Sequence, residues 1–221
     1  MIPVIAAVLF DLDGTLIDSA PDLASSVNAM LQHRGLLALP YAALRPHAGS
    51  GARGMLATAF GVLPSMPEYE ALKNEFYLAY EARMLEQTRL FAAIENVLSA
   101  LDLRRLPWGI VTNKALRFAQ PGAQAVGLWP RARALVAGDC TPHTKPHPAP
   151  LLEAARRMDL APECCVYVGD DPRDVLAGRA AGMATLAAAW GYLGVDSPPH
   201  AWGADHVLDH PDELLHWLDL P

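Results

Sequence analysis

Asp11 and Asp13 stand two positions apart in the stretch LFDLDGTLIDS, and Gly14 and Thr15 follow where the chain must turn. With that spacing the two carboxylates point to the same side if extended backbone continues through them. Two anions held so close repel, so a cation or a shared proton is needed to keep them together. Three later places offer matching groups. Thr112 and Asn113 follow the apolar run WGIV, and Gly169, Asp170 and Asp171 follow CVYV. Between them, the loop TPHTKPHPAP presents Lys145, and Pro146 biases that lysine towards extended backbone. Taken singly, each has an ordinary reading: a turn rich in Asp and Gly, a threonine helix cap, a solvated lysine. A hydroxyl, an ammonium and several carboxylates, each at a strand end or in a loop, point to one shared site.

The elements that must position these groups follow from hydrophobic pattern. Residues 4–10 form a short apolar run with the length of a strand buried on both faces. Further strands are expected at 108–111, 134–137, 165–168 and 184–189, with a short edge strand at Val207 and Leu208. Helices are expected at 115–126, closed by Gly127 and kinked or divided by Pro121, at 150–158 and at 211–218. This alternation predicts a doubly wound parallel α/β sheet, in which ligands bind beyond the carboxyl ends of the strands. The interval from Ser19 to about residue 86 reads differently. Ser19 followed by Pro21 and Asp22 is a helix-start signal, and Leu23, Val27, Met30 and Leu31 recur at helical spacing, as do Leu72, Phe76, Ala79 and Tyr80. Breaks are expected at Gly35, Pro40, 49–54 and 61–67. The interval is expected to be an all-helical unit inserted after the first strand, residues 17–86, with the α/β core in 1–16 and 87–221.

Around Asp170 the spacing separates two jobs. Asp171 precedes Pro172, and Asp174 lies three residues on, which reads as an N-cap, a proline at the first helical position and an acid in the first turn. Asp171 is therefore expected to be the cap and Asp170 the better ligand, with Asp174 able to turn inward. In the helical insertion, residues 47–55 (HAGSGARGM) look like a glycine-rich loop carrying Ser50 and Arg53, without the Gly-Lys-Ser/Thr of a P-loop. Arg53 has two readings: a side chain that reaches the substrate, or a surface arginine.

Composition narrows the partners. The 221 residues carry 17 basic and 24 acidic side chains, a net charge of −7, and no basic run suits a nucleic acid. The apolar first ten residues lack a basic leader and meet Asp11 at once, so no membrane span is expected and the expected location is cytoplasmic. Cys140, Cys164 and Cys165 have no metal-binding spacing, and His33, His143, His147, His206 and His210 form no ligand pair.

Together, DLDGT (Asp11 to Thr15), VTNK ending on Lys114, Lys145 and GDDPRD (Gly169 to Asp174) resemble the motifs of the haloacid-dehalogenase-like hydrolases. The resemblance runs nearly end to end and is nearest the phosphoglycolate phosphatase group. VTNKALRFAQP, RDVLAGRAAGM, WGYLG and GADHVLDHPDEL also resemble a subgroup that dephosphorylates N-acetylmuramic acid 6-phosphate. It implies a Rossmann-like core with an inserted helical cap, and a magnesium-dependent phosphatase for a small phosphorylated metabolite. By motif position, Asp11 is the implied nucleophile that forms an aspartyl-phosphate. Asp13 is the implied proton donor to the leaving alkoxide and base for the hydrolytic water. The implied magnesium ligands are Asp11, the backbone carbonyl of Asp13, and Asp170. Thr112, Asn113 and Lys145 are the implied phosphoryl-binding residues, and Lys145 also orients Asp11. A sugar phosphomutase uses the same covalent intermediate and stands as the alternative. A phosphoreceiver domain is rejected, because its phosphoacceptor lies on an inner strand well after the acidic pair.

Overall fold

The computed structural model describes residues 5–195 and 197–220. Val4, expected in the first strand, lies outside them. β1 is Ala7–Phe10, and its four residues are all buried. β4 (Trp108–Val111), β5 (Ala134–Val136), β6 (Cys165–Gly169), β7 (Ala184–Ala188) and β8 (His206–Leu208) complete a six-stranded parallel sheet in the order β5-β4-β1-β6-β7-β8. Alternation along β1 sends Val8 and Phe10 to one face and Ala7 and Leu9 to the other. The first face packs with α5 (Ile94–Leu103), α6 (Leu116–Ala125) and α9 (Glu213–Trp217). The second packs with α7 (Ala149–Met158) and α8 (Pro172–Ala180). Both faces are covered, which is why these strands read as continuous apolar runs.

β1 lies between β4 and β6, which continue in opposite directions across the sheet. That reversal opens a crevice at the carboxyl ends of the three strands. Asp11 is the first residue beyond β1, and its backbone N–H still bonds the Val168 carbonyl at 2.9 Å.

The chain leaves the core through β2 (Ile17–Asp18) and returns through β3 (Arg89–Leu90), an antiparallel pair that the pattern did not reveal. Between them lie α1 (Ala20–His33), α2 (Tyr41–Leu44), a 3-10 turn at Arg45–Ser50, α3 (Gly51–Phe60) and α4 (Tyr69–Glu81). These helices share their own apolar cluster, including Leu23, Val27, Met30, Met55, Phe76 and Tyr80. Phe118 from α6 and Tyr192 after β7 also join it.

Three local expectations need correction. The supposed glycine-rich loop at 47–55 is helical from Arg45 onwards, apart from the junction at Gly51. Gly54 lies within α3, where a Cβ would come within 2.3 Å of the His47 carbonyl oxygen, so the helix needs glycine there. Pro121 does not divide α6, which runs through it from Leu116 to Ala125. Ser19 flanks α1 without capping it by a side-chain hydrogen bond.

Asp22 is no simple first-turn acid either. It is fully buried and accepts from the N–H groups of Leu85, Gln87 and Thr88 at 3.0, 2.9 and 3.0 Å, and from the Thr88 hydroxyl at 2.7 Å. One carboxylate thus fixes the segment by which the insertion rejoins the core. Asp22→Ala orphans these donors and should lower stability by about 1–3 kcal/mol in denaturant unfolding. A loss below about 0.5 kcal/mol, the range of an ordinary surface substitution, would contradict this role.

Candidate active site

The crevice at the strand ends brings most of the expected residues together. Asp11, Asp13, Thr112, Asn113, Lys145 and Asp170 all line one cavity of about 470 Å³, roofed by the helical insertion, and Arg53 reaches it from α3. Carboxylate oxygens of Asp11, Asp170 and Asp174 lie within 4.8 Å of one another. Asp174, read as a first-turn acid able to turn inward, has done so and is 2% exposed.

Lys145 is the cation among these acids. Its Nζ lies 2.8 Å from Asp11 Oδ1 and 2.7 Å from Asp174 Oδ1. It also donates to the Val111 carbonyl at 3.0 Å and the Tyr167 hydroxyl at 2.8 Å. Burial works against its charge, but Asp11 and Asp174 outweigh it and raise its pKa. The backbone of Lys145 is held in turn by Asn113, whose amide accepts from the Lys145 N–H and donates to its carbonyl, both at 2.9 Å. Asn113 thus fixes Lys145 and also lines the cavity, with a second amide N–H still to offer.

One ammonium does not balance three carboxylates. Burial, with Asp174 and Asp13 adding to it and Lys145 opposing, pushes Asp11 up to about 7. Burial also raises Asp170 well above the ordinary carboxylate range, with Asp11 and Asp174 adding to it. The Lys145 contact with Asp11 Oδ1 lacks hydrogen-bond direction, which leaves that buried oxygen without a directed donor. A buried all-oxygen cluster with excess negative charge and an orphaned oxygen fits a small hard divalent cation.

Asp170 is held closely. Thr15 donates to Oδ1 at 2.9 Å and the Tyr192 N–H to Oδ2 at 2.8 Å. Gly14 has φ +92°, and a Cβ there would come within 2.1 Å of the Asp170 carboxylate; one on Gly191 would come within 2.2 Å of its Cβ. Glycine at both positions is therefore a condition for Asp170 to occupy its place. Gly191 and Tyr192 belong to WGYLG, whose role was not legible in sequence. Trp190 Nε1 donates to the Thr15 carbonyl at 3.0 Å, and the Tyr192 hydroxyl accepts from the Ser19 and Ala20 N–H groups at 2.8 and 3.0 Å.

Asp171 is the helix cap that the spacing predicted. Its side chain accepts from the Arg173 N–H, while Asp174 accepts from the Asp171 N–H, a reciprocal capping box. Burial pushes the Asp171 carboxyl up, but the Arg173 guanidinium outweighs that and holds it below its ordinary value. Arg173 also donates to the Gly49 carbonyl at 2.8 Å, tying α8 to the insertion. Thr112 does not cap α6, whose N-cap is Ala115. Its hydroxyl accepts from the Lys114 N–H at 3.2 Å, which leaves the hydroxyl proton for an anion.

Asp13 stands outside the cluster of Asp11, Asp170 and Asp174 and has its own partners. Its Oδ1 accepts from Lys114 Nζ at 2.7 Å and from the Ser19 hydroxyl. Lys114, unassigned in the sequence beyond its place in VTNK, is thus a second cation of the cavity. Arg53 is exposed, and among the described residues no carboxylate pairs with it. Among the described residues, no helix is long and apolar enough to cross a membrane.

Comparison with known proteins places the chain in a family. Residues 8–188 match the haloacid dehalogenase-like hydrolase family. The chain is 49% identical over 208 residues to a phosphoglycolate phosphatase of Xanthomonas campestris pv. campestris, covering 94% of each chain. It is 42% identical over 213 residues to an N-acetylmuramic acid 6-phosphate phosphatase of Pseudomonas putida, covering 96% of each. Among solved structures, a predicted phosphoglycolate phosphatase from Haemophilus somnus superposes with a TM-score of 0.84 at 28% identity, covering 96% of this chain and 97% of the other. With the motifs, the parallel sheet and these matches in agreement over nearly its whole length, the chain belongs to the haloacid dehalogenase-like hydrolases and is a phosphoric monoester hydrolase.

Proposed function

We propose that this enzyme hydrolyses a small phosphate monoester with magnesium, through an aspartyl-phosphate on Asp11. The observation that carries this reading is the convergence of Asp11, Asp170 and Asp174 around Lys145 at the carboxyl ends of β1 and β6. Asp11 is the nucleophile. An ionised carboxylate needs no separate base, provided its neighbours keep it charged. Lys145 orients Asp11 and, with the Thr112 hydroxyl, binds oxygens of the transferring phosphoryl group. Asp13 gives a proton to the leaving oxygen and later takes one from the water that releases the phosphate. Asp11, Asp170 and the Asp13 backbone carbonyl would hold magnesium, with Asp174 behind them. Bound there, the cation would neutralise charge on the phosphoryl oxygens and on the carboxylates. The helical insertion acts as a cap that excludes water and contacts the leaving group.

The cavity also bears on the substrate. Its volume of about 470 Å³ falls within the range of roughly 300–1,000 Å³ typical of sites for substantial organic ligands. One wall is aromatic, formed by Tyr69, Phe76, Tyr77, Tyr80 and Phe118. Phosphoglycolate is two anionic groups on one short link and has no face to lay on such a wall. A hexose ring does, and N-acetylmuramic acid 6-phosphate combines that ring with a phosphate and a carboxylate. The cavity therefore favours the sugar phosphate, while the name of the Xanthomonas relative favours 2-phosphoglycolate. Purified enzyme with magnesium should release phosphate from the sugar phosphate with a kcat/KM at least about tenfold higher, about 1.4 kcal/mol of transition-state preference. The opposite ranking would overturn the assignment. A sugar phosphate isomerised without release of phosphate would support the mutase alternative.

Arg53 is the unpaired cation best placed to meet a substrate anion. Arg53→Ala should raise KM for the preferred substrate with little change in kcat, and affect 4-nitrophenyl phosphate less. An equal fall in kcat on both substrates would put Arg53 in the chemical step instead.

Magnesium should also act on stability. A carboxylate whose pKa is raised by folding contributes less stability as pH rises, because the folded state holds its proton longer. With Asp11 raised to about 7, the metal-free protein should lose thermal stability between about pH 5 and about pH 7.5. Excess magnesium should raise Tm more at the higher pH, and Asp170→Ala should reduce that gain far more than Asp171→Ala. Equal gains at both pH values, or equal effects of the two variants, would contradict the ligand assignment.

A further inference from the structure

Lys114 is a buried cation to which the phosphoryl-transfer reading gives no task. Its side chain is 12% exposed, and it stands beyond β4 just after Thr112 and Asn113. Its Nζ donates to Asp13 Oδ1 at 2.7 Å and to the Tyr80 hydroxyl at 2.7 Å. Asp13 belongs to the turn after β1, whereas Tyr80 belongs to α4 of the insertion. One ammonium therefore bridges the core's second aspartate and the roof of the cavity. Burial works against the charge on Lys114, but Asp13 and Tyr80 outweigh it and favour the protonated form.

Each end of this bridge is itself fixed. Tyr80 is 3% exposed, stacks on Phe76 with ring centroids 6.2 Å apart, and meets Phe118 edge-on at 5.4 Å. Its hydroxyl is thus delivered to Lys114 only when α4 is packed in place. Asp13 is held from the other side by the Ser19 hydroxyl, at the point where the chain enters the insertion. Both partners of Asp13 are therefore tied to the position of the insertion, Ser19 by sequence and Lys114 through Tyr80. Lys114 is already held by Asp13 and Tyr80, so Arg53, which has no carboxylate partner among the described residues, is the better receptor for a substrate anion.

We propose that Lys114 is a positioning residue: with Tyr80 it holds the Asp13 carboxyl for proton transfer, so that docking of the insertion completes the acid–base group. This rests on the reading of Asp13 as proton donor and acceptor. In the first step the Asp11 oxygen bonds phosphorus as the bond to the leaving oxygen breaks, and that oxygen takes the Asp13 proton. In the second, water bonds phosphorus as the bond to Asp11 breaks, and the Asp13 carboxylate takes the water's proton. Misplacing Asp13 slows both steps for an alkyl phosphate. For 4-nitrophenyl phosphate it slows only the second, because nitrophenolate leaves without a proton.

The test compares Lys114→Met, Tyr80→Phe and the double variant with wild type, in the full chain with magnesium. Lys114→Met should lower kcat on the preferred alkyl phosphate by about 100-fold, the low end of a general acid–base contribution, with little change in KM. On 4-nitrophenyl phosphate it should release nitrophenol in a burst of about one equivalent before a slow steady state, the sign of an accumulating covalent intermediate. Tyr80→Phe should lower kcat in the same direction by about tenfold. The double variant should be no worse than Lys114→Met, because the two residues act through one bridge. A raised KM with unchanged kcat, a loss on both substrates without a burst, or additive losses would overturn the proposal. If Lys114→Met does not fold, Tyr80→Phe carries the test alone, and wild-type kcat in that variant overturns it. Asp13→Asn separates the two ideas: wild-type activity there defeats the acid–base reading. An inactive Asp13→Asn beside an unaltered Lys114→Met defeats only the positioning role.

Discussion

Mutual repulsion among the carboxylates of Asp11, Asp170 and Asp174 is the constraint on which the rest of the site depends. Their oxygens lie within 4.8 Å of one another in a buried crevice. Two unit charges about 4 Å apart interact by roughly 4 kcal/mol at an effective dielectric of about 20, so full ionisation of all three is unfavourable without a counter-charge. Lys145 supplies one such charge, and the raised Asp11 and Asp170 carboxyls show that it is not enough. The same imbalance suits the cluster to a divalent cation and, with that cation, to the anionic oxygens of a phosphoryl group.

Much of the surrounding structure serves to hold these groups against their repulsion. The sheet reverses direction around β1, which puts the ends of β1, β4 and β6 side by side. Gly14 and Gly191 clear the space for Asp170, while Thr15 and the Tyr192 N–H bond its two oxygens. Asn113 fixes the Lys145 backbone from a different strand end. The insertion is attached at points that also touch the site: Ser19 bonds Asp13, Tyr192 bonds Ser19 and Ala20, and Arg173 reaches Gly49. Access and chemistry therefore share a set of contacts rather than occupying separate parts of the molecule.

The parts of this arrangement that were legible in sequence are the local ones. WGIV and CVYV read as buried strands because both faces of a parallel sheet are covered, and each run ends abruptly in polar residues. Asp171 read as a cap because a capping box is set by spacing within one turn. The inserted helices were legible from period, since Leu23, Val27 and Met30 turn one face inwards. What escaped depends on residues distant in the chain. Gly54 looks like a loop glycine until His47 is seen packed against it. Asp22 looks like a first-turn acid until residues 85–88 are laid against it. Neither the pairing of Lys114 with Asp13, 101 positions earlier, nor the hold of Tyr192 on Asp170, 22 positions earlier, leaves a local signature.

The covalent role of Asp11 is open to direct measurement. Enzyme mixed with magnesium and substrate, quenched in acid within one turnover and reduced with borohydride, converts any aspartyl-phosphate to homoserine. Peptide mass mapping should then find homoserine at position 11, in an amount that follows the occupancy of the intermediate. An unmodified Asp11 together with homoserine, or a stable phosphoryl group, at another residue would contradict it.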